Sequence, residues 1–94
     1  MSMLLKPAQA GTLESSDILV MVAPAEAGTG IQVELHTPTR QQYGEHITSL
    51  IKNTVAAQGI ADAIVNANEK GALDYTIEAR VKTAIKRAAG QGGF

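Results

Sequence analysis

Asp17-Ile18-Leu19-Val20-Met21-Val22-Ala23-Pro24 is the stretch that decides the fold: six apolar residues run unbroken between an acid and a proline. The run is short for a helix, and Ile18, Val20 and Val22 are branched at Cβ, which suits a pleated sheet, so it reads as a buried strand. Downstream, Ile31-Gln32-Val33-Glu34-Leu35-His36 alternates strictly. Ile31, Val33 and Leu35 share one side and Gln32, Glu34 and His36 the other, the period of a half-buried strand. Between them Pro24 to Gly30 reads as a flexible loop closing an antiparallel pair.

Working outward, residues 1–9 contain Pro7 and show no period, which predicts a loose N-terminal arm with room for a short edge strand. Gly11 to Glu14 is expected to be a short strand leading into the turn Ser15-Ser16. Beyond the second strand, Tyr43, Ile47, Leu50, Ile51 and Val55 recur at helical spacing and make one apolar face. Thr39 with Gln42 fits a capping box; Thr37 as N-cap with Pro38 in the first turn is the alternative. Gly59 is placed to end this helix, and Gly44 inside it suggests close contact with a strand. Ala61 to Ala67 reads as a further strand and Asn68 to Gly71 as a turn. Leu73, Ile77, Val81, Ala84, Ile85 and Ala88 then line one side of a second helix. Asp74 and Glu78 lie towards its start and Lys82, Lys86 and Arg87 towards its end, an order that complements the helix dipole, and Glu78 and Lys82 form an i,i+4 pair. Gly90 ends it, leaving 91–94 as a frayed tail.

The predicted architecture is α+β: a small, largely antiparallel sheet in the order β-β-β-α-β-α, with both helices packed on one face. The 94 residues make a single domain. A domain of this size buries only about 60–65% of the surface of its unfolded chain, which leaves little for a deep catalytic cavity besides a core.

The charge balance narrows the partners. Eight basic and nine acidic residues give a net charge of −1, without the basic excess or interleaved aromatics that nucleic-acid binding uses. The longest apolar run is far short of a membrane span. Met1 to Leu5 lacks the charged start, apolar centre and cleavage site of a signal peptide, and the expected location is the cytoplasm. The chain has no cysteine, so any thiol chemistry it takes part in uses a non-protein group.

No catalytic constellation stands out. His36 and His46 have no convergent partners at metal-ligand spacing and read as structural or surface residues. Gly28-Thr29-Gly30 joins two strands with no helix start behind it, so a loop is the better reading than a phosphate site. Glu14 and Asp17 flank an exposed turn and are expected to be solvated, with Asp17 free to cap nearby backbone donors. Ser15 and Ser16 lack both an activating base and a strained elbow before a helix. An exposed, unactivated serine at a fixed turn is better suited to being modified than to attacking a substrate.

Ala10-Gly11-Thr12-Leu13-Glu14-Ser15-Ser16-Asp17 resembles the N-terminal signature of the acyl carrier (gamma) subunit family of citrate lyase. Gln41-Gln42-Tyr43-Gly44 is similar to a Gln-Gln-aromatic-Gly segment of that family. Lys70-Gly71-Ala72-Leu73-Asp74, with Ala79-Arg80 beyond, is similar to its Lys-Gly-Ala-Leu-acid turn and second helix. The resemblance runs from about residue 10 to residue 89, with Asn68-Glu69 standing where the family pattern has two acids.

The resemblance implies a non-catalytic carrier whose serine, by motif position Ser15, bears phosphoribosyl-dephospho-coenzyme A through a phosphodiester. The thiol of that group would hold acetyl and citryl thioesters while citrate is cleaved to oxaloacetate and acetate. The implied partners are an alpha subunit that exchanges the acyl group, a beta subunit that cleaves the citryl form, and the transferase that attaches the group. The carrier of malonate decarboxylase, which uses the same group, and an unmodified interaction module are the alternatives.

Overall fold

A computed structural model describes residues 3–38 and 41–90. The elements are β1 (Ala8–Gly11), β2 (Ile18–Pro24), β3 (Ile31–His36), α1 (Gln41–Ala57), β4 (Ala63–Glu69) and α2 (Asp74–Ala88). The architecture is α+β in the predicted order. One core joins the inward residues of the sheet, Ile18, Val20, Val22, Ala63, Val65 and Ala67, to Ile47, Ile51 and Val55 of α1 and to Ile77, Val81, Ala84 and Ile85 of α2. Both helices therefore cover the same face. Each large aliphatic side chain among these stabilises the fold by about 1.5–3 kcal/mol through burial. The other face carries Leu19, Met21, Ala23, Ile64, Asn66 and Asn68, all at least partly exposed.

The sheet order is β1-β2-β4-β3. β1 with β2 and β2 with β4 are antiparallel, and β3 with β4 is parallel. The expected β2–β3 pair is therefore not formed, because β4 lies between the two strands. The chain returns from β3 through the 17-residue helix α1, and a connection of that kind lets the next strand run parallel beside the first. Pro24 to Gly30 accordingly crosses the end of β4 instead of closing a hairpin. The crossing is held by Asp62, whose Oδ1 accepts the Gly28 and Gly30 N–H groups at 3.0 and 2.8 Å. A carboxylate of the protein itself thus occupies the amides of the Gly-Thr-Gly loop.

The N-terminal segment also differs from expectation. The first strand covers Ala8–Gly11, not Gly11 to Glu14, and residues 3–6 are fastened rather than loose. Leu4 is buried, and the Leu5 and Lys6 N–H groups both donate to the Ala88 carbonyl at 2.9 and 3.2 Å. Arg87 Nη1 donates to the Gln9 carbonyl at 2.8 Å. The last carbonyls of a helix have no partner within it, and this segment supplies donors to the end of α2.

At the helices, Gly59 (φ +84) ends α1 as predicted, its N–H on the Ala56 carbonyl at 2.9 Å. Thr39 of the capping box lies outside the described residues, as do residues 91–94. Tyr43 and Leu73, assigned to apolar faces, are instead 40% and 58% exposed. Tyr43 stacks on His46 with ring centroids 5.7 Å apart, and Leu73 sits at the N-cap of α2, just ahead of its first turn. A Cβ at Gly44 would meet Thr37 and Leu35 at ordinary distances of 3.7 and 3.9 Å, so close packing does not demand glycine there. Asp74 in the first turn of α2 and Lys86 and Arg87 in the last fit the dipole order, while no ion pair joins Glu78 to Lys82 among the described residues.

Candidate functional site

The turn between β1 and β2 starts at Gly11. Its φ of +98° is open to glycine, and a Cβ there would lie 1.8 Å from the Ile18 carbonyl oxygen. The chain then swings out through Thr12-Leu13-Glu14-Ser15-Ser16, all exposed, and returns at Asp17, which is buried. Thr12 Oγ1 accepts the Glu14 N–H at 3.1 Å, and the Asp17 N–H closes the turn on the Glu14 carbonyl at 3.2 Å. Ser16 has φ +66°, a left-handed conformation that costs a residue with a side chain about 1 kcal/mol. Ser15, just before it, has no hydrogen bond from its hydroxyl to another described residue.

Asp17 is the keystone, and the expectation of a solvated turn residue is corrected here. Its Oδ1 accepts the Ile18 N–H at 2.7 Å and Arg80 Nε at 3.0 Å. Its Oδ2 accepts the Thr12 hydroxyl at 2.6 Å and Arg80 Nη2 at 2.9 Å. The carboxylate is shielded, with 13% of the side chain exposed against 40% for Arg80. Hydrogen bonding from Arg80 is the main reason its pKa falls from 3.8 to about 2; burial opposes the shift, while the Thr12 hydroxyl, the Ile18 N–H and the charge of Arg80 reinforce it. Asp17 is thus ionised and fully engaged, which suits a structural anchor rather than a proton carrier.

A second contact locks the turn from the other side. Ser16 N–H donates to the Lys70 carbonyl at 2.7 Å, and Lys70 N–H donates to the Asp17 carbonyl at 2.9 Å. Lys70-Gly71 is itself held by Glu69, a fully buried carboxylate that accepts the Thr37 hydroxyl at 2.7 Å and the Ala72 N–H at 2.5 Å. His46 Nε2 meets Asp74 Oδ2 at 2.8 Å and ties α1 to the start of α2. The segments 10–17, 41–44 and 70–74, remote in sequence, therefore meet at one end of the sheet. Arg80, Thr12 and the Lys70 carbonyl were not foreseen as parts of this site. The available signal was Arg80 itself, a cation three residues after buried Ile77 and beside buried Val81, at the border of the apolar face.

His36, at the end of β3, takes no part in these contacts; its Nε2 lies against Glu34 at 3.3 Å on an exposed surface. Among the described residues no group of three or more His, Asp or Glu side chains could hold a metal ion. No described helix is long and apolar enough to cross a membrane.

Comparison with known proteins finds acyl carrier proteins. Residues 5–88 match the acyl carrier family model described as malonate decarboxylase delta subunit (MdcD). The citrate lyase acyl carrier protein of Halothermothrix orenii is 42% identical over 84 residues, spanning 89% of this chain and 87% of that one. That of Streptococcus equi subsp. equi is 48% identical over 83 residues, 88% of this chain and 80% of its own. That of Lacticaseibacillus casei is 48% identical over 88 residues, 94% and 85%. In the crystal structure of a Pseudomonas malonate decarboxylase hetero-tetramer in complex with malonate, one chain superposes with a TM-score of 0.73 at 14% identity, covering 93% of this chain and 88% of that one, a likeness of fold. At 42–48% identity over nearly its whole length to these relatives, the chain belongs to the citrate lyase acyl carrier protein family.

Proposed function

We propose that this protein is the acyl carrier subunit of citrate lyase and that Ser15 bears phosphoribosyl-dephospho-coenzyme A through a phosphodiester. The observation that carries the reading is an exposed serine on a turn pinned from two sides, by Asp17–Arg80 and by Ser16–Lys70. The residues fit such a group. The Ser15 side chain is open to solvent, so a large anionic ester there displaces nothing and buries no charge. When bound, the group supplies the thiol that the chain itself lacks and holds acyl units as thioesters.

The chain's own part is mechanical. Ser15 Oγ would take the new bond to phosphorus as a phosphoanhydride of the donor breaks and its phosphate side departs as the leaving group, and the serine proton would pass to a base of the transferase, since no described side chain is bonded to it. Ser16, in its left-handed conformation, turns the backbone back to the sheet. Asp17, Arg80 and Thr12 keep the anchor point still while the far end of a long arm moves. Tethering holds the acyl group at high effective concentration for two successive active sites, those of the alpha and beta subunits, in the cytoplasm. The names of relatives at 42–48% identity favour citrate lyase. The family model's description favours the malonate decarboxylase carrier as the second reading.

The test is intact mass after co-expression with the modifying transferase. One group should be added, and Ser15→Ala should remove the addition while leaving the fold intact. Modification that survives Ser15→Ala and is lost in Ser16→Ala overturns the site. Reconstitution with citrate lyase alpha and beta subunits, against malonate decarboxylase subunits, separates the two complexes.

A further inference from the structure

The backbone sets one cation against the serine turn. Lys70 follows β4 directly, and its two main-chain bonds face two successive residues. The Ser16 N–H donates to the Lys70 carbonyl at 2.7 Å, and the Lys70 N–H donates to the Asp17 carbonyl at 2.9 Å. The next pair of the ladder is Ile18 with Glu69. Two residues opposite one, the first of them left-handed (Ser16, φ +66°), make a β-bulge, a device that bends a strand and re-aims a side chain beside it. Ser15 leads into this bulge. Residues bonded across a ladder have Cα atoms about 5.5 Å apart and one peptide adds about 3.8 Å, so the Ser15 and Lys70 Cα atoms lie within about 9 Å. The four-carbon stem of lysine and a phosphate on Ser15 Oγ, reaching from either side, close that gap.

The charges around the turn leave Lys70 unpaired. Arg80 is engaged by Asp17. Lys70 is exposed, and among the described residues its ammonium takes part in no hydrogen bond or ion pair. Glu14 is the one carboxylate among the exposed residues 12–16 and adjoins Ser15. An anion esterified on Ser15 therefore has a repelling carboxylate beside it and an unpaired cation across the bulge.

We propose that the Lys70 ammonium pairs with the phosphodiester on Ser15 and so holds the first link of the arm against the turn, while the rest of the arm stays free to travel. The proposal rests on the functional reading above. Lys70 offsets the repulsion from Glu14, and its position is fixed by the same two main-chain bonds that fix Ser16 and Asp17. The pair is exposed, so it is modest in strength and screened by salt.

The experiment is thermal unfolding of the full chain, unloaded and loaded at Ser15, at low ionic strength and in about 1 M salt. The variants are Lys70→Gln and Lys70→Arg. Lys86→Gln, in the last turn of α2 and roughly 18 Å along it from its start, is the control. At low ionic strength, loading should change the Tm of wild type by about 2–4 °C more, in the stabilising direction, than that of Lys70→Gln. Most of that increment should vanish in about 1 M salt. Lys70→Arg, which keeps the charge, and Lys86→Gln should retain it. The 31P resonance of the diester should differ between wild type and Lys70→Gln at low ionic strength and coincide in about 1 M salt. Equal increments in wild type and Lys70→Gln overturn the proposal, as does loss of the increment in Lys70→Arg or an equal loss in Lys86→Gln. Failure of Lys70→Gln to be loaded also overturns it and assigns the side chain to contact with the transferase. If the wild-type chain accepts no group at Ser15, the functional reading itself has failed.

Discussion

Arg80 grips Asp17, 63 positions earlier in the chain, through Nε at 3.0 Å and Nη2 at 2.9 Å, one nitrogen to each carboxylate oxygen. This two-pronged pair joins the middle of α2 to the first residue after the serine turn. It makes the stability of the fold and the steadiness of the candidate modification site one property, and the first expectations concern it.

Arg80→Ala should destabilise the protein by about 2 kcal/mol, because it leaves a shielded carboxylate without its principal partner. The figure is below that for a wholly buried pair, since the guanidinium is partly solvated. Arg80→Lys should recover less than half of the loss, because a point charge cannot span both oxygens. Urea unfolding of both variants, with Asp17→Ala and the double variant, measures the coupling.

The same pair fixes a response to acid. The pKa of Asp17 is lowered to about 2 in the folded state, so its contribution is fully present above the ordinary value near 4. That contribution declines as pH falls from about 4 and is gone below about 2, where folded and unfolded forms are both protonated. About 1–2 kcal/mol should disappear over that interval after solvent screening at Arg80 is allowed for. Asp17→Asn should flatten this part of the stability–pH curve, as followed by chemical unfolding at stepped pH.

Gly11→Ala should cost more than Gly28→Ala. Both glycines have positive φ, but a Cβ at Gly11 would lie 1.8 Å from the Ile18 carbonyl oxygen while one at Gly28 meets nothing within 4 Å. Conformational strain alone is worth about 1 kcal/mol at either site; the clash adds to it at Gly11. Thermal unfolding of the two variants tests the order.

Ser16→Gly should stabilise the fold by about 0.5–1 kcal/mol, by removing the penalty of a left-handed residue with a Cβ. Loading at Ser15 should persist. Ser16→Val should do the reverse, since a branched side chain tolerates positive φ worst. Unfolding curves and intact mass read the two effects separately.

Parts of this were legible in the residues. Ile31–His36 alternates over the span that becomes β3, and Ile77, Val81, Ala84, Ile85 and Ala88 all reach the core. β1 was misplaced because Ala8-Gln9-Ala10-Gly11 has little intrinsic strand preference and becomes one by pairing with β2. Leu73 was assigned to an apolar face because periodicity does not say where a helix begins. Ser15 reads from the sequence as an exposed serine at a fixed turn, but what fixes the turn does not, since that depends on Lys70 and Arg80.

The sequence by itself determined the kinds of element, their order and the face each buries, because those follow from side-chain spacing within a few residues. Tertiary structure alone decided that β4 separates β2 from β3, that Asp17 is a shielded anchor rather than a solvated turn residue, and that the segments 10–17, 41–44 and 70–74 share one end of the sheet. These depend on pairings across dozens of residues, where the competing arrangements have the same local patterns and differ only in what they bury and which charges they bring together.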